Sequence, residues 1–204
     1  VKTQMVPDAD FPTVSFPNPE EHGVMDSVTD LAKASNADLA LANDPDGDRL
    51  GVAIPTLSGD WRLLSGDEIG ALLFNHVARK TSGNNRKVVT TIVCSKLVSK
   101  IASNHGVEHA TTLTGFKWII PAAYNDSSLQ PIFCYEEALG YATNTAVRDK
   151  DGISAALMMA ELTAALKEQG QTLEDELDAL SLEYGHHVTK TWRVRFNSDK
   201  SSNV

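Results

Sequence analysis

The sequence predicts an α/β fold of mixed-sheet α/β/α layers, and two observations carry that prediction. Short β-branched or apolar segments, such as Leu50–Ile54 and K-V-V-T-T-I-V at Lys87–Val93, alternate with stretches of helical periodicity such as Gly152–Glu168. Each chemistry-bearing segment directly follows a strand, and the carboxyl ends of strands are where open α/β sheets collect ligands. The 204 residues, 42% of them hydrophobic, suffice for one domain or two small ones with buried cores.

Residues 7–21, rich in Pro and acidic side chains, read as an extended loop. The spacing of Val24, Val28, Leu31 and Ala32 predicts a helix over Met25–Ser35. Asp38–Ala42 reads as a short buried strand, Leu50–Ile54 as the returning strand, and Leu57–Asp60 as a boundary turn. A second α/β series begins with a strand at Trp61–Leu64. Ser65 or Asp67 can cap a helix to about Arg79. Lys87–Val93 reads as a buried strand, followed by a helix capped by Ser95 and stopped at Gly106. A strand at Val107–Leu113, a helix containing Phe116, Trp118 and Ile119, and a strand at Pro131–Tyr135 follow. A polar loop is expected over Glu136–Lys150, then helices at Gly152–Glu168 and Thr172–Ser181, and an alternating strand at His186–Phe196.

A formal net charge of −9 argues against nucleic-acid binding, which needs a basic surface. No apolar run approaches the roughly 20 residues of a membrane span, so no membrane partner is expected and a cytoplasmic setting is. Cys94 and Cys134 sit in apolar runs and are expected to be buried free thiols. Gly106 separates His105 from His109, which argues against a helical metal pair.

Asp44, Asp46 and Asp48 alternate within D-P-D-G-D-R. Carboxylates this close repel one another unless a cation sits among them. Hard oxygen ligands suit Mg²⁺ or Ca²⁺. An EF-hand would need Gly at the sixth position and Glu at the twelfth; Arg49 and Pro55 stand there. Arg49 offers a fork suited to phosphate. A rival reading makes Asp44 the nucleophile and Asp46 the acid of a phosphatase. That reading also needs a lysine and a further acidic pair on later strands, and Gly66-Asp67-Glu68 opens a helix too early to serve.

Glu136 and Glu137 follow a strand, where a carboxylate can accept hydrogen bonds from sugar hydroxyls. Adjacent residues on an extended segment point in opposite directions, so the two rarely share one substrate. Arg148 and Lys150 precede the long helix; cations there oppose its dipole unless an anion also binds, which suggests a phosphate site. Lys117, in T-G-F-K-W, is a further candidate cation.

The ordered set D-P-D-G-D-R-L-G-V-A, S-G-D-E-I-G, T-L-T-G-F-K-W-I, Y-E-E-A-L-G-Y and R-D-K-D-G-I resembles the α-D-phosphohexomutase superfamily, and most of all its phosphoglucomutase/phosphopentomutase branch. The resemblance implies four domains in a full-length enzyme. Residues 1–57 would be the C-terminal part of the metal-binding second domain and 58–185 the sugar-binding third. Residues 186–204 would lead towards a fourth. The chain opens Val-Lys-Thr, and a piece of a longer protein is expected, with domains 1 and 4 as its missing partners. The resemblance also implies roles. Asp44, Asp46 and Asp48 would coordinate Mg²⁺, Arg49 and Lys117 would be catalytic, and Glu136, Glu137, Arg148 and Lys150 would bind substrate. The substrate would be a phosphosugar, converted by way of phosphoserine and a sugar bisphosphate such as glucose 1,6-bisphosphate. Tyr135 and Ala138 replace the glycine and serine common in the family's sugar loop, which removes one expected sugar hydrogen bond. No serine lies in a T-A-S-H-N-P-like context, so the chain alone is expected to be inactive. A non-catalytic module that binds metal or phosphosugar is the alternative.

Overall fold

A computed structural model describes residues 1–6, 8–56 and 58–190. After a short 3₁₀ turn (Lys2–Gln4), helix α1 (Asp26–Ala34) leads into three antiparallel strands, β1 (Ala40–Asn43), β2 (Leu50–Pro55) and β3 (Trp61–Leu63), ordered β1-β2-β3. Next come α2 (Gly66–Lys80), β4 (Arg86–Thr91), α3 (Leu97–Asn104), β5 (Glu108–Thr112), α4 (Phe116–Ala123), β6 (Gln130–Glu136) and β7 (Gly140–Ala142). Helices α5 (Gly152–Glu168) and α6 (Leu173–Tyr184) follow. The second sheet is ordered β5-β4-β6-β7. Strand β4 is parallel to both β5 and β6, and β7 is antiparallel to β6. This is the mixed-sheet α/β architecture that the sequence predicts.

One apolar core ties the two sheets together. Leu50, Val52 and Ile54 of β2 join Val88, Phe133 and Tyr135 of the second sheet in one buried cluster, with α2 and α5 contributing to it. Helix α2 is buried along most of its length, and Ile69, Leu72, Leu73 and Phe74 are fully enclosed. Its start is fixed locally: Ser65 accepts from the Glu68 amide at 3.2 Å while Glu68 accepts from the Ser65 amide at 2.7 Å, a reciprocal capping box. Thr172 and Asp175 do the same for α6.

Several expectations are corrected. Trp61–Leu63 belongs to the first sheet, because Ala53 of β2 registers with Leu63. Strand β4 stops at Thr91, where the Cys94 amide turns back to the Thr91 carbonyl, and this leaves Ile92 and Val93 exposed. The Glu136–Lys150 segment is not all loop: Gly140–Ala142 forms β7, with Tyr141 fully buried. Lys96, not Ser95, is the boundary residue of α3, although the Ser95 hydroxyl still accepts from the Leu97 amide. Of the strand expected at His186–Phe196, residues 186–190 form no strand and the rest lie outside the described residues, as does Leu57 of the expected turn.

Candidate active site

Strands β1 and β2 are joined by the Asp loop, and its closure follows from its sequence. The Asn43 side-chain amide donates to the Arg49 carbonyl at 2.7 Å across the base. The Gly47 amide donates to the Asp44 carbonyl at 3.0 Å, and Gly47 takes a positive φ of 74°, where glycine meets no steric cost. The Arg49 amide donates to Asp44 Oδ1 at 3.0 Å. This folding brings carboxylate oxygens of Asp44, Asp46 and Asp48 within 4.8 Å of one another. Burial, with the charges of Asp48 and Asp46, pushes the Asp44 carboxyl up against the opposing pull of Arg49. Three converging hard oxygens fit a small divalent cation such as Mg²⁺.

The loop is docked onto the second sheet. The Leu50 amide donates to the Leu139 carbonyl at 3.1 Å, and Arg49 forms an antiparallel bridge with Gly140. Arg49 Nε lies 3.7 Å from Asp44 Oδ2 and 3.9 Å from Asp48 Oδ1. At the start of α5, Asp151 caps the Ile153 and Ser154 amides. Just before it, Lys150 Nζ reaches Asp48 Oδ2 at 3.0 Å. The Lys150 stem crosses Gly140 so closely that a Cβ there would stand 2.4 Å from Lys150 Cδ and 3.1 Å from Glu136 Cγ. Glu136 is buried. Burial and the neighbouring Glu137 raise its carboxyl, while Lys150, Arg49 and the Gly115 amide hold it down. For Lys150, burial would lower the ammonium, but Asp48, Asp149 and Glu136 together raise it.

Asp44, Asp46, Asp48, Arg49 and Lys150 thus form one cluster, and Glu136 lies beside it across Gly140. Three other candidates do not join them. Glu137 turns to the opposite face, where its carboxylate accepts from the Thr91 hydroxyl at 3.1 Å. Glu137 lies just past the end of β6, in the turn that leads to β7, so the turn and not strand alternation separates it from Glu136. The Arg148 guanidinium lies 4.4 Å from the centre of the Tyr124 ring, a cation–π contact. Lys117 is exposed in the first turn of α4, and among the described residues it makes no ion pair. The neighbour of Lys117, Phe116, is the residue that touches the cluster, its ring centre 5.3 Å from Lys150 Nζ.

Sequence reasoning missed Asn43, Gly140 and Gly152 as builders of the site. A Cβ on Gly152 would stand 2.3 Å from the Arg49 carbonyl oxygen. Asp67 does not cap α2: its buried carboxylate accepts from the Ser95 amide at 2.8 Å and from the hydroxyls of Tyr135 at 2.9 Å and Thr189 at 2.6 Å. Tyr135 therefore points into the core. Both cysteines are free and buried, and burial pushes Cys94 to about 11 and Cys134 to about 12. His109 Nε2 lies 2.8 Å from the Thr90 hydroxyl. Among the described residues, no helix is long and apolar enough to cross a membrane.

Residues 65–184 match the profile for phosphoglucomutase/phosphomannomutase alpha/beta/alpha domain III, and residues 1–59 match that for domain II. The chain belongs to the phosphoglucomutase/phosphomannomutase family. It is 42% identical over 196 residues to a Haemophilus influenzae protein named probable phosphomannomutase, covering 96% of this chain and 39% of that protein. It is also 42% identical over 201 residues to human phosphopentomutase, covering 93% of this chain and 33% of that protein. The chain therefore spans a third to two fifths of the length of these relatives. Family members of this kind are isomerases that act as phosphosugar mutases. The fold is shared with a phosphoglucomutase/phosphomannomutase family protein from Burkholderia thailandensis, with a TM-score of 0.66 at 21% identity over 85% of this chain and 35% of that one. It is also shared with an Aspergillus fumigatus N-acetylphosphoglucosamine mutase solved with GlcNAc-6P and magnesium, with a TM-score of 0.51 at 18% identity over 74% of this chain and 36% of that one.

Proposed function

We propose that these residues form the metal- and sugar-binding portion of a Mg²⁺-dependent phosphosugar mutase. In that reading, phosphate moves between C1 and C6 (or C5) by way of a phosphoserine and a sugar bisphosphate. The observation that carries the reading is the position of Lys150. Its ammonium sits 3.0 Å from Asp48 of the carboxylate trio, and its stem runs beside Glu136. One side chain thus joins the metal end of the cleft to the sugar end.

Asp44, Asp46 and Asp48 would hold the metal, which supplies positive charge where a phosphoryl oxygen becomes more negative. The Arg49 fork would orient the phosphoryl group, Glu136 would accept from sugar hydroxyls, and Lys150 would neutralise phosphate charge. Glu137, Arg148 and Lys117 do not join this cluster and would have no role in it. The metal-binding unit would span 1–57 and the sugar-binding unit 58–185, with strand β3 of the latter pairing with β2 of the former and 186–204 leading onward. The nucleophilic serine would come from outside these 204 residues.

Calorimetric titration with glucose 1,6-bisphosphate in the presence of Mg²⁺ tests this reading. The wild-type chain should bind it saturably, and Glu136→Ala should weaken binding by about tenfold, the loss of one or two hydrogen bonds. The chain alone should not convert glucose 1-phosphate to glucose 6-phosphate. Absence of binding, binding indifferent to Glu136, or robust conversion would each contradict the proposal.

A further inference from the structure

Asp48 serves two cations. Its carboxylate supplies one of the three clustered oxygens, yet its Oδ2 already accepts the Lys150 ammonium at 3.0 Å, and its Oδ1 faces Arg49 Nε at 3.9 Å. Lys150 has little room to go elsewhere. Its side chain is only 17% exposed, its stem fills the space that the missing Gly140 Cβ leaves, and its ammonium lies beside the Phe116 ring. Three carboxylates lie near its ammonium: Asp48 at 3.0 Å, the exposed Asp149 at 3.9 Å, and the buried Glu136, whose Cγ flanks the same Gly140 contact. A divalent ion on Asp48 and an ammonium on the same carboxylate repel each other, and the partly buried setting screens that repulsion poorly.

We propose that Lys150 and the divalent cation compete for the Asp48 carboxylate, so that metal loading releases the Lys150 ammonium towards Glu136 and the sugar. The inference rests on the proposed metal role of the Asp trio and adds to it a coupling between the two ends of the cleft. Empty of metal, the cleft keeps its lysine on Asp48; loaded, it presents that lysine to the substrate. Gly140 is the positioning residue that gives the arm its path.

Two measurements on the 204-residue chain, at fixed pH and ionic strength, test the competition. The first is calorimetric titration with Mg²⁺ of the wild type, Lys150→Met and Arg148→Met. Lys150→Met keeps the stem and removes the competing charge, so Mg²⁺ affinity should rise about three- to tenfold. Arg148→Met removes the same charge from the same segment, but that charge stacks on Tyr124, and the affinity should change less than about twofold. The second measurement needs no variant. Acetylation of individual lysines by an N-hydroxysuccinimide ester, read by mass spectrometry, should show Lys150 more reactive with saturating Mg²⁺ than without it, while Lys117 stays constant. Unchanged or weaker Mg²⁺ binding by Lys150→Met overturns the competition, as does an equal gain in Arg148→Met or a Lys150 reactivity indifferent to Mg²⁺. Failure of the wild type to bind Mg²⁺ at all overturns the metal role of the trio, and the competition with it.

Discussion

The amide of Gly152 donates a hydrogen bond to the carbonyl of Gly47 at 3.1 Å, so the first residue of α5 rests directly on the turn of the Asp loop. The same glycine leaves no space for a side chain, because a Cβ would meet the Arg49 carbonyl oxygen at 2.3 Å and Asn43 Nδ2 at 2.5 Å. Loop and helix start are therefore built as one unit, and the carboxylates on one side hold a fixed relation to Lys150 on the other.

Gly152→Ala should disturb both stability and metal binding. Forcing backbone apart at this contact costs about 1–3 kcal/mol. Urea denaturation should show that loss, and Mg²⁺ titration should show weaker binding. A variant with wild-type stability and affinity would mean that the contact is slack.

Gly66→Ala tests a second close approach to backbone. Its Cβ would fall 1.8 Å from the Glu137 carbonyl oxygen, a rigid backbone atom at the turn between β6 and β7. The start of α2 would have to move, at about 3 kcal/mol. The midpoint of urea unfolding reports this, and an unchanged midpoint would contradict the close contact.

Glu136 predicts a pH dependence with a definite sign. Burial first, and Glu137 second, raise its carboxyl above the ordinary 4.5, although Lys150, Arg49 and the Gly115 amide oppose the shift. A carboxyl raised on folding contributes stability below its unfolded pKa, and that contribution is lost as pH rises through the folded value. Glu136→Gln removes the titration. In chelator-containing buffer, the melting temperature of the variant minus that of the wild type should grow as pH rises from below 4.5 and then level off. A difference that is flat or falls with pH would contradict the burial of this carboxylate.

The thiols should be inert in the native protein. Burial pushes Cys94 to about 11 and Cys134 to about 12, so little thiolate, the reactive form, exists at pH 8. Iodoacetamide at that pH should label neither until denaturant is added, when both should react. Rapid native labelling of either would place it nearer the surface.

What was legible in the sequence was mostly local. The D-P-D-G-D-R loop stands out because three like charges alternate within six residues, and the Ser65–Glu68 capping box lies within one turn of helix. What escaped depends on distant partners. Strand β7 is only Gly-Tyr-Ala, too short for a periodic signal, and exists because it pairs with β6. Asp67 looks like a helix cap by its position, yet Tyr135, Ser95 and Thr189 converge on it from other elements. Arg148 and Lys150 look equivalent in R-D-K-D-G, but Tyr124 takes the guanidinium and Asp48 takes the ammonium. Only the packing of α4 and α5 against the second sheet separates them.

The most direct test is titration of Mg²⁺ into the wild-type chain and into Asp46→Asn. Asp46 is the exposed member of the trio, so the substitution removes a ligand with little effect on packing. The wild type should bind one ion saturably, and Asp46→Asn should bind at least about tenfold more weakly, as expected for a lost charged ligand. No saturable binding by the wild type, or equal affinity in the two proteins, would contradict a metal site in the Asp44–Arg49 loop.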